Sequence, residues 1–228
     1  MVISIIGGTG PQGLGIAMRL AIAGEDVIVG SRKEEKALKI VEETRDKLKD
    51  YRIGKLTGMA NVDAADKGDA LILTVPLAAQ KSTLTGIKEF VKGKVLIDAT
   101  VPLETSIGGK PDRFIDLMEG SAAERTQSIL EGTDVKVVSA FNNISNSHLL
   151  NIPAEIDCDC LVSGNDLEAK KTAMTIINKI PGVRCIDCGP LQKARIVEKI
   201  TPLLIGLNIK YKSHYGGLRL TGFKNLKN

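Results

Sequence analysis

Two short stretches near the N-terminus carry residue types that could hold a dinucleotide. In Gly7-Gly8-Thr9-Gly10-Pro11-Gln12-Gly13, the glycines at 8, 10 and 13 fit the spacing G-x-G-x-x-G. The apolar run Val2 to Ile6 precedes them, and Pro11 opens a helical pattern that ends at Gly24. A glycine turn lets the backbone come close to a pyrophosphate. The free N–H groups of the following helix start supply donors and a positive dipole end, and Thr9 adds a hydroxyl. A glycine turn with no ligand is the bland alternative; the strand before and the helix after argue against it. The second stretch follows the apolar run Val27 to Val29 and reads Gly30-Ser31-Arg32. An acid at this place would grip a ribose hydroxyl and repel a 2′-phosphate. Ser31 instead donates a hydrogen bond, and Arg32 offers a bidentate charge-assisted pair. Lys36, one helical turn further on, adds a point charge from the same side. The pattern predicts NADP rather than NAD, and therefore redox chemistry.

Three later runs end in small and polar residues: Thr74-Val75-Pro76, Asp98-Ala99-Thr100-Val101-Pro102 and Ser139-Ala140-Phe141-Asn142-Asn143-Ile144. In open α/β sheets the ligand lies beyond the carboxyl ends of the strands, so these ends are predicted to line the nicotinamide pocket. No acid–base constellation accompanies them. His148 and His214 are the only histidines, and neither sits beside a nucleophile or at a metal-ligand spacing. We name no catalytic side chain. Hydride transfer between two bound cofactors requires their rings held face to face at about 3–3.5 Å, and the chemistry is theirs. Cys158, Cys160, Cys185 and Cys188 could supply four thiolates to zinc. They lie in apolar, strand-like runs, where cysteine serves as a small buried hydrophobe. Neither a metal site nor a disulfide is expected.

The elements that must position these residues alternate. Strands are predicted at 2–6, 26–30, 55–57, 70–75, 94–98, 135–140, 160–163 and 183–187, and helices at 11–23, 33–49, 62–67 and 166–179. Apolar strands separated by helices imply a doubly wound parallel sheet covered on both faces. Residues 1–188 are read as the nucleotide-binding domain. Residues 189–228 form a small, mainly helical C-terminal segment with one apolar helix from Ile196 to Ile209, despite Pro202. The closing Gly216-Gly217 run reads as an excursion towards a partner.

Of 228 residues, 43% are hydrophobic and 25% charged, ordinary for a soluble globular protein. No apolar run approaches the roughly 20 residues of a membrane span, and the first strand follows Met1 directly, leaving no leader. The expected location is cytoplasmic. The net charge of +4 is uneven. Residues 189–228 hold eight Lys or Arg (Lys193, Arg195, Lys199, Lys210, Lys212, Arg219, Lys224, Lys227) against Glu198 alone, giving +7 there and −3 in the rest. Without interleaved aromatics this is not a nucleic-acid signature. It suits a polyanionic small molecule or a solvated helix face.

With these residues in hand, the chain closely resembles the archaeal NADPH-dependent coenzyme F420 reductases, in their methanogen form. The resemblance rests on GGTGPQGLG at 7–15, GSRKEEK at 30–36, LTVP at 73–76, LIDATVP at 96–102, EGSAAER at 119–125, VVSAFNNIS at 137–145 and ARIVEKITPLLIGLNI at 194–209. It implies a Rossmann-type sheet, a homodimer, and reversible hydride transfer between NADPH and the deazaflavin F420. By motif it implies Thr9, Gly10, Pro11 and Gln12 at the pyrophosphate, with Gly13 of the same glycine fingerprint among the cofactor-binding residues, and Ser31, Arg32 and Lys36 at the 2′-phosphate. Val75 and Val101 would lie at the nicotinamide, Asn142 and Ile144 near the stacked rings, and Leu218 at the deazaflavin. Some members carry His where Asn142 stands, which suits a positioning role there. The phosphate and polyglutamate tail of F420 would give Lys210, Lys212 and Arg219 a partner. The competing readings are an NADP-dependent reductase of a small imine or carbonyl, which usually has a larger helical C-terminal domain, and a non-enzymatic NADP sensor.

Overall fold

A computed structural model describes residues 1–223. Eight strands form one sheet: β1 (Val2–Ile6), β2 (Asp26–Ser31), β3 (Leu56–Ala60), β4 (Ala70–Leu73), β5 (Val95–Asp98), β6 (Lys136–Ser139), β7 (Cys158–Gly164) and β8 (Val183–Asp187), in the order β3-β2-β1-β4-β5-β6-β7-β8. The first six strands are parallel. Because the order reverses between β1 and β4, a crevice opens at their carboxyl ends.

Helices cover both faces, as expected of strands that are apolar throughout. On one face, Ile3, Ile5, Val27 and Val29 pack against α1 (Pro11–Ile22) and Val41 of α2 (Glu34–Lys47). Cys158, Cys160 and Cys185 complete that face against α7 (Leu167–Ile177) as buried hydrophobes. On the other face, Ile28, Leu71, Leu73 and Leu96 pack under α3 (Asn61–Lys67) and α4 (Leu77–Ile87), with α5 (Ala122–Ile129) beside them.

Two expectations are corrected. The sheet is not wholly parallel: β7 runs antiparallel to β6, and β8 is parallel to β7. A parallel return needs a crossover as long as the sheet is deep. The helix after β6, α6 (Asn146–Leu150), has five residues and rises only about 7.5 Å. It docks on α1 instead, where the buried Arg19 guanidinium donates to the carbonyls of His148, Leu149, Asn151 and Ala154 at 2.7–3.0 Å. The apolar helix after residue 190 is also broken. It forms α8 (Ala194–Val197) and α9 (Ile200–Lys210), separated at Glu198 and Lys199. Pro202 has no N–H to donate to the 198 carbonyl, and its ring excludes continuation of the preceding turn. It is tolerated in the first turn of α9.

Candidate active site

The carboxyl ends of β1, β2, β4, β5 and β6 open into one cleft of about 1470 Å³. Pockets for one small ligand run to about 300–1,000 Å³, so this one is larger than a single drug-sized ligand needs.

The glycine turn forms its floor. Gly7 adopts φ +75°, which a side chain would strain, and its N–H donates to Asn61 Oδ1 at 3.1 Å. At Gly10 a Cβ would meet no protein atom nearer than Gly7 O at 4.0 Å. That space is open to the cleft. Gly13 differs: a Cβ there would lie 2.5 Å from Thr74 Oγ1 and 2.7 Å from Gly8 Cα. It lets α1 close against the turn and does not line the cleft, which corrects its expected place among the cofactor-binding residues. Thr9, Pro11 and Gln12 do line it. No side chain caps the start of α1, so its first N–H groups are left for an anion. The Gln12 amide is turned aside to donate to the carbonyls of Phe141 and Ile144 at 3.2 and 3.3 Å. This ties the turn to the end of β6.

Ser31 is buried at the end of β2, and Arg32, Lys33 and Lys36 stand exposed along the same rim of the cleft. Lys33 was missed in the sequence because it lies between motif positions. Across the cleft Lys212 supplies a fourth cation, and among the described residues no Asp or Glu lines any part of it. An open Gly10, an uncapped helix start and three cations on one rim without a carboxylate fit a phosphate-rich dinucleotide carrying a 2′-phosphate.

The middle of the cleft is built from Val75, Thr100, Val101, Asn142 and Ile144. The side chain of Val75 occupies the space that a Cβ on Gly7 would need. Asn142 is internally engaged. Its Nδ2 donates to Thr100 O at 3.1 Å, and its Oδ1 accepts from Ser139 Oγ at 3.0 Å, bridging the ends of β5 and β6. Phe141, just before it, is held at φ +67°, a strained geometry of the kind kept at functional sites. Asp98 points away from the cleft. It accepts from Gln80 Nε2, Thr126 Oγ1 and the Thr100 N–H, and burial pushes its carboxyl up.

The far wall is α9, through Thr201, Leu204, Ile205 and Asn208, with His214 and Gly216 beyond it. Single-sequence reading missed these lining positions because α9 is apolar on every side and shows no preferred face. Leu218 is not part of the wall. Its carbonyl accepts from Asp159 N at 2.7 Å, and its side chain packs near Leu161, Ile186 and Val197. The expected approach of Leu218 to the deazaflavin is therefore not made within this chain. Arg219 is likewise committed, to Asp157 and Asp159, and Lys210 lies over Tyr211 at 5.4 Å. Lys224 and Lys227 lie outside the described residues. Of the histidines, His148 contacts Tyr215 O through Nε2 at 2.6 Å, a structural role, whereas His214 faces the cleft.

Comparison with known proteins places this geometry. Residues 2–102 match the family model described as NADP oxidoreductase, coenzyme F420-dependent. The chain is 51% identical over 226 residues to the F420-dependent NADP reductase of Methanothermobacter marburgensis, covering 97% of this chain and 98% of the relative. It is 48% identical over 225 residues to that of Methanocaldococcus jannaschii, covering 98% and 100%. A crystal structure from Arthrobacter sp. FB24, described as an F420-dependent NADP-reductase, superposes with a TM-score of 0.80 at 26% identity, covering 96% and 99%. At about half identity over nearly its full length, the chain belongs to the F420-dependent NADP reductase family.

Proposed function

We propose that the protein catalyses reversible hydride transfer between NADP(H) and coenzyme F420, held together in the one cleft. The observation that carries this is the cleft itself: 1470 Å³ in volume, cationic at both ends, and free of carboxylates among the described residues. Bound there, the nicotinamide and the deazaflavin supply the hydride chemistry.

The residues bind, orient and exclude water. Gly10 and the start of α1 receive the pyrophosphate, and Ser31, Arg32 and Lys36, with Lys33, receive the 2′-phosphate. Val75 and Val101 give the nicotinamide an apolar seat. Asn142 holds the ends of β5 and β6 in register beneath the rings, with Ile144 beside it. No side chain is required to move a proton. Lys212 and His214 sit where the anionic F420 tail would leave the cleft. Neutralising Lys212 should weaken F420 binding in a salt-dependent way.

The 189–228 segment serves F420 binding and dimerisation. Ile196, Leu203, Leu207 and Tyr211 are exposed on the side of α8 and α9 away from the cleft, an apolar stripe that a second copy would cover. Among the described residues no helix is long and apolar enough to cross a membrane, and we place the enzyme in the cytoplasm. An imine or carbonyl reductase is less well supported, since the relatives that the chain matches at 51% and 48% identity over nearly their full length are F420-dependent NADP reductases.

The test is loss of the oxidised deazaflavin absorbance when purified protein meets F420 and NADPH, with NADH in parallel. Reduction with NADPH and little with NADH is expected. Tight NADPH binding with no F420 reduction would overturn the reading.

A further inference from the structure

Two segments that stand out in the sequence, 119–125 and 194–209, meet at one buried carboxylate. Glu198 lies between α8 and α9 with no exposure. Its Oε2 accepts the N–H of Ala122 at 2.8 Å and its Oε1 that of Ala123 at 3.1 Å. These are the first two N–H groups of α5, and Ser121 Oγ accepts the third, from Glu124, at 3.1 Å. A helix start leaves such donors without intrahelical partners. Here a side chain from a distant element satisfies them.

The neighbours of Glu198 grip the same stretch of chain. Arg195 donates to both carboxylate oxygens of Glu124 at 2.8 Å. Lys199 pairs with Asp116 at 2.7 Å and lies 5.0 Å from the centre of the Phe114 ring. Those outer pairs are exposed and hold weakly; Glu198 is the buried anchor between them. Beyond this joint α9 buries only Pro202. Its first turn is also tied to the body by Thr201 Oγ1, which donates to Asn142 O at 2.7 Å, and by Ile200, packed near Leu161, Ile186 and Val197. The direction in which α9 leaves the body is thus fixed at its first turn.

We infer that Glu198 is a positioning residue for the F420-side wall of the cleft: by seating on the start of α5 it sets the placement of Thr201, Leu204, Ile205 and Asn208. The inference rests on the reading of the cleft as a two-cofactor site.

The charged groups around Glu198 are all identifiable. Asp98 faces it from β5 and Glu124 from α5, while Arg195 and Lys199 on its own segment are turned outwards to Glu124 and Asp116. Burial pushes its carboxyl up to about 8, assisted by Asp98, while the two N–H groups act against the shift. The carboxylate accepts both N–H groups better than the neutral acid does, so this local contact tightens as pH rises through that value, even though burying the charge lowers the stability of the fold as a whole over the same range.

The experiment compares wild-type protein with Glu198→Gln, which keeps the size and loses one acceptor. F420 and NADPH binding, amide exchange over 200–210, and KM against pH are measured. Loss of a buried hydrogen bond predicts about tenfold weaker F420 binding. NADPH affinity should change less than about twofold, because its phosphate contacts come from β1, β2 and the helices after them. Amides of α9 should exchange faster, and any pH dependence of the F420 KM centred near 8 should disappear. A folded variant with unchanged F420 affinity and exchange would overturn the inference. So would equal losses for both cofactors that track a lowered Tm. Should Glu198→Gln fail to fold, Glu198→Asp carries the same comparison with the same outcomes, since it keeps the charge on a side chain too short to reach both N–H groups. If wild-type protein binds no F420, the cofactor reading fails, while amide exchange still decides whether Glu198 anchors α9.

Discussion

Gly10 and Gly13 stand three positions apart in one turn and are glycine for opposite reasons. Nothing of the protein occupies the Cβ space of Gly10, and its φ of −83° suits any residue. Gly10→Ala should therefore keep its Tm and weaken NADPH binding about ten- to a hundredfold, read by titration. Gly13→Ala drives a methyl into Thr74 and Gly8. It should cost about 1–3 kcal/mol of stability, read by chemical denaturation. At the other end of the cofactor, Arg32→Ala should raise the NADPH KM about ten- to a hundredfold with little change for NADH. The residues proposed for the phosphates could be named from the sequence because the features that nominate them are local: spacing within a turn, and the residue type at a strand end. Asn61 was not, because its contact with the Gly7 N–H joins residues 54 positions apart. Leu218 packs away from the cleft within this chain, which motif transfer could not foresee because it gives a position and no orientation.

At the scale of elements, the parallel half of the sheet follows from continuous apolar strands, and it was read with boundaries close to those found. What escaped depended on tertiary choices. The turn at Phe141, the docking of α6 on α1 and the reversal of β7 are linked by long-range bonds to Gln12 and Arg19. Arg19 satisfies four carbonyls from a buried position. Arg19→Ala should destabilise the fold by about 3 kcal/mol or more, and Arg19→Lys should recover only part of it, since an ammonium lacks the planar fork. Thermal melts of both variants check this. The break at 198–199 was foreshadowed by Pro202, but an apolar segment with no polar face gave no sign of which side met the cleft and which was left bare.

Across the whole molecule, two buried acids pull stability in opposite directions with pH. Burial pushes the Asp159 carboxyl up, but Arg184, Arg219 and the Leu220 N–H outweigh it and hold it at about 2. Its contribution is present above the unfolded value near 4 and is lost as pH falls towards 2. Glu198, raised to about 8, favours the folded state while protonated, and that contribution fades as pH rises from about 4.5 through 8. Tm measured against pH should fall below about 4 and again as pH rises from about 4.5 through 8, and Glu198→Gln should flatten the second fall, leaving the part due to the raised Asp98 carboxyl. The bare stripe on α8 and α9 makes a separate prediction: Leu203→Glu with Leu207→Glu should shift the protein from dimer to monomer in sedimentation, because two charges would then face the apolar partner surface.

The central claim is that one cleft brings NADPH and F420 into direct contact with no side chain carrying the reducing equivalent. Single-turnover reduction of F420 with NADPH deuterated at the reactive nicotinamide carbon tests it most directly, with mass spectrometry of the product. For the two deuterium epimers of NADPH, the account predicts that one delivers its label to reduced F420 without dilution by solvent protons. Reduced F420 that carries only solvent hydrogen with both epimers, or no reduction at all, would contradict it.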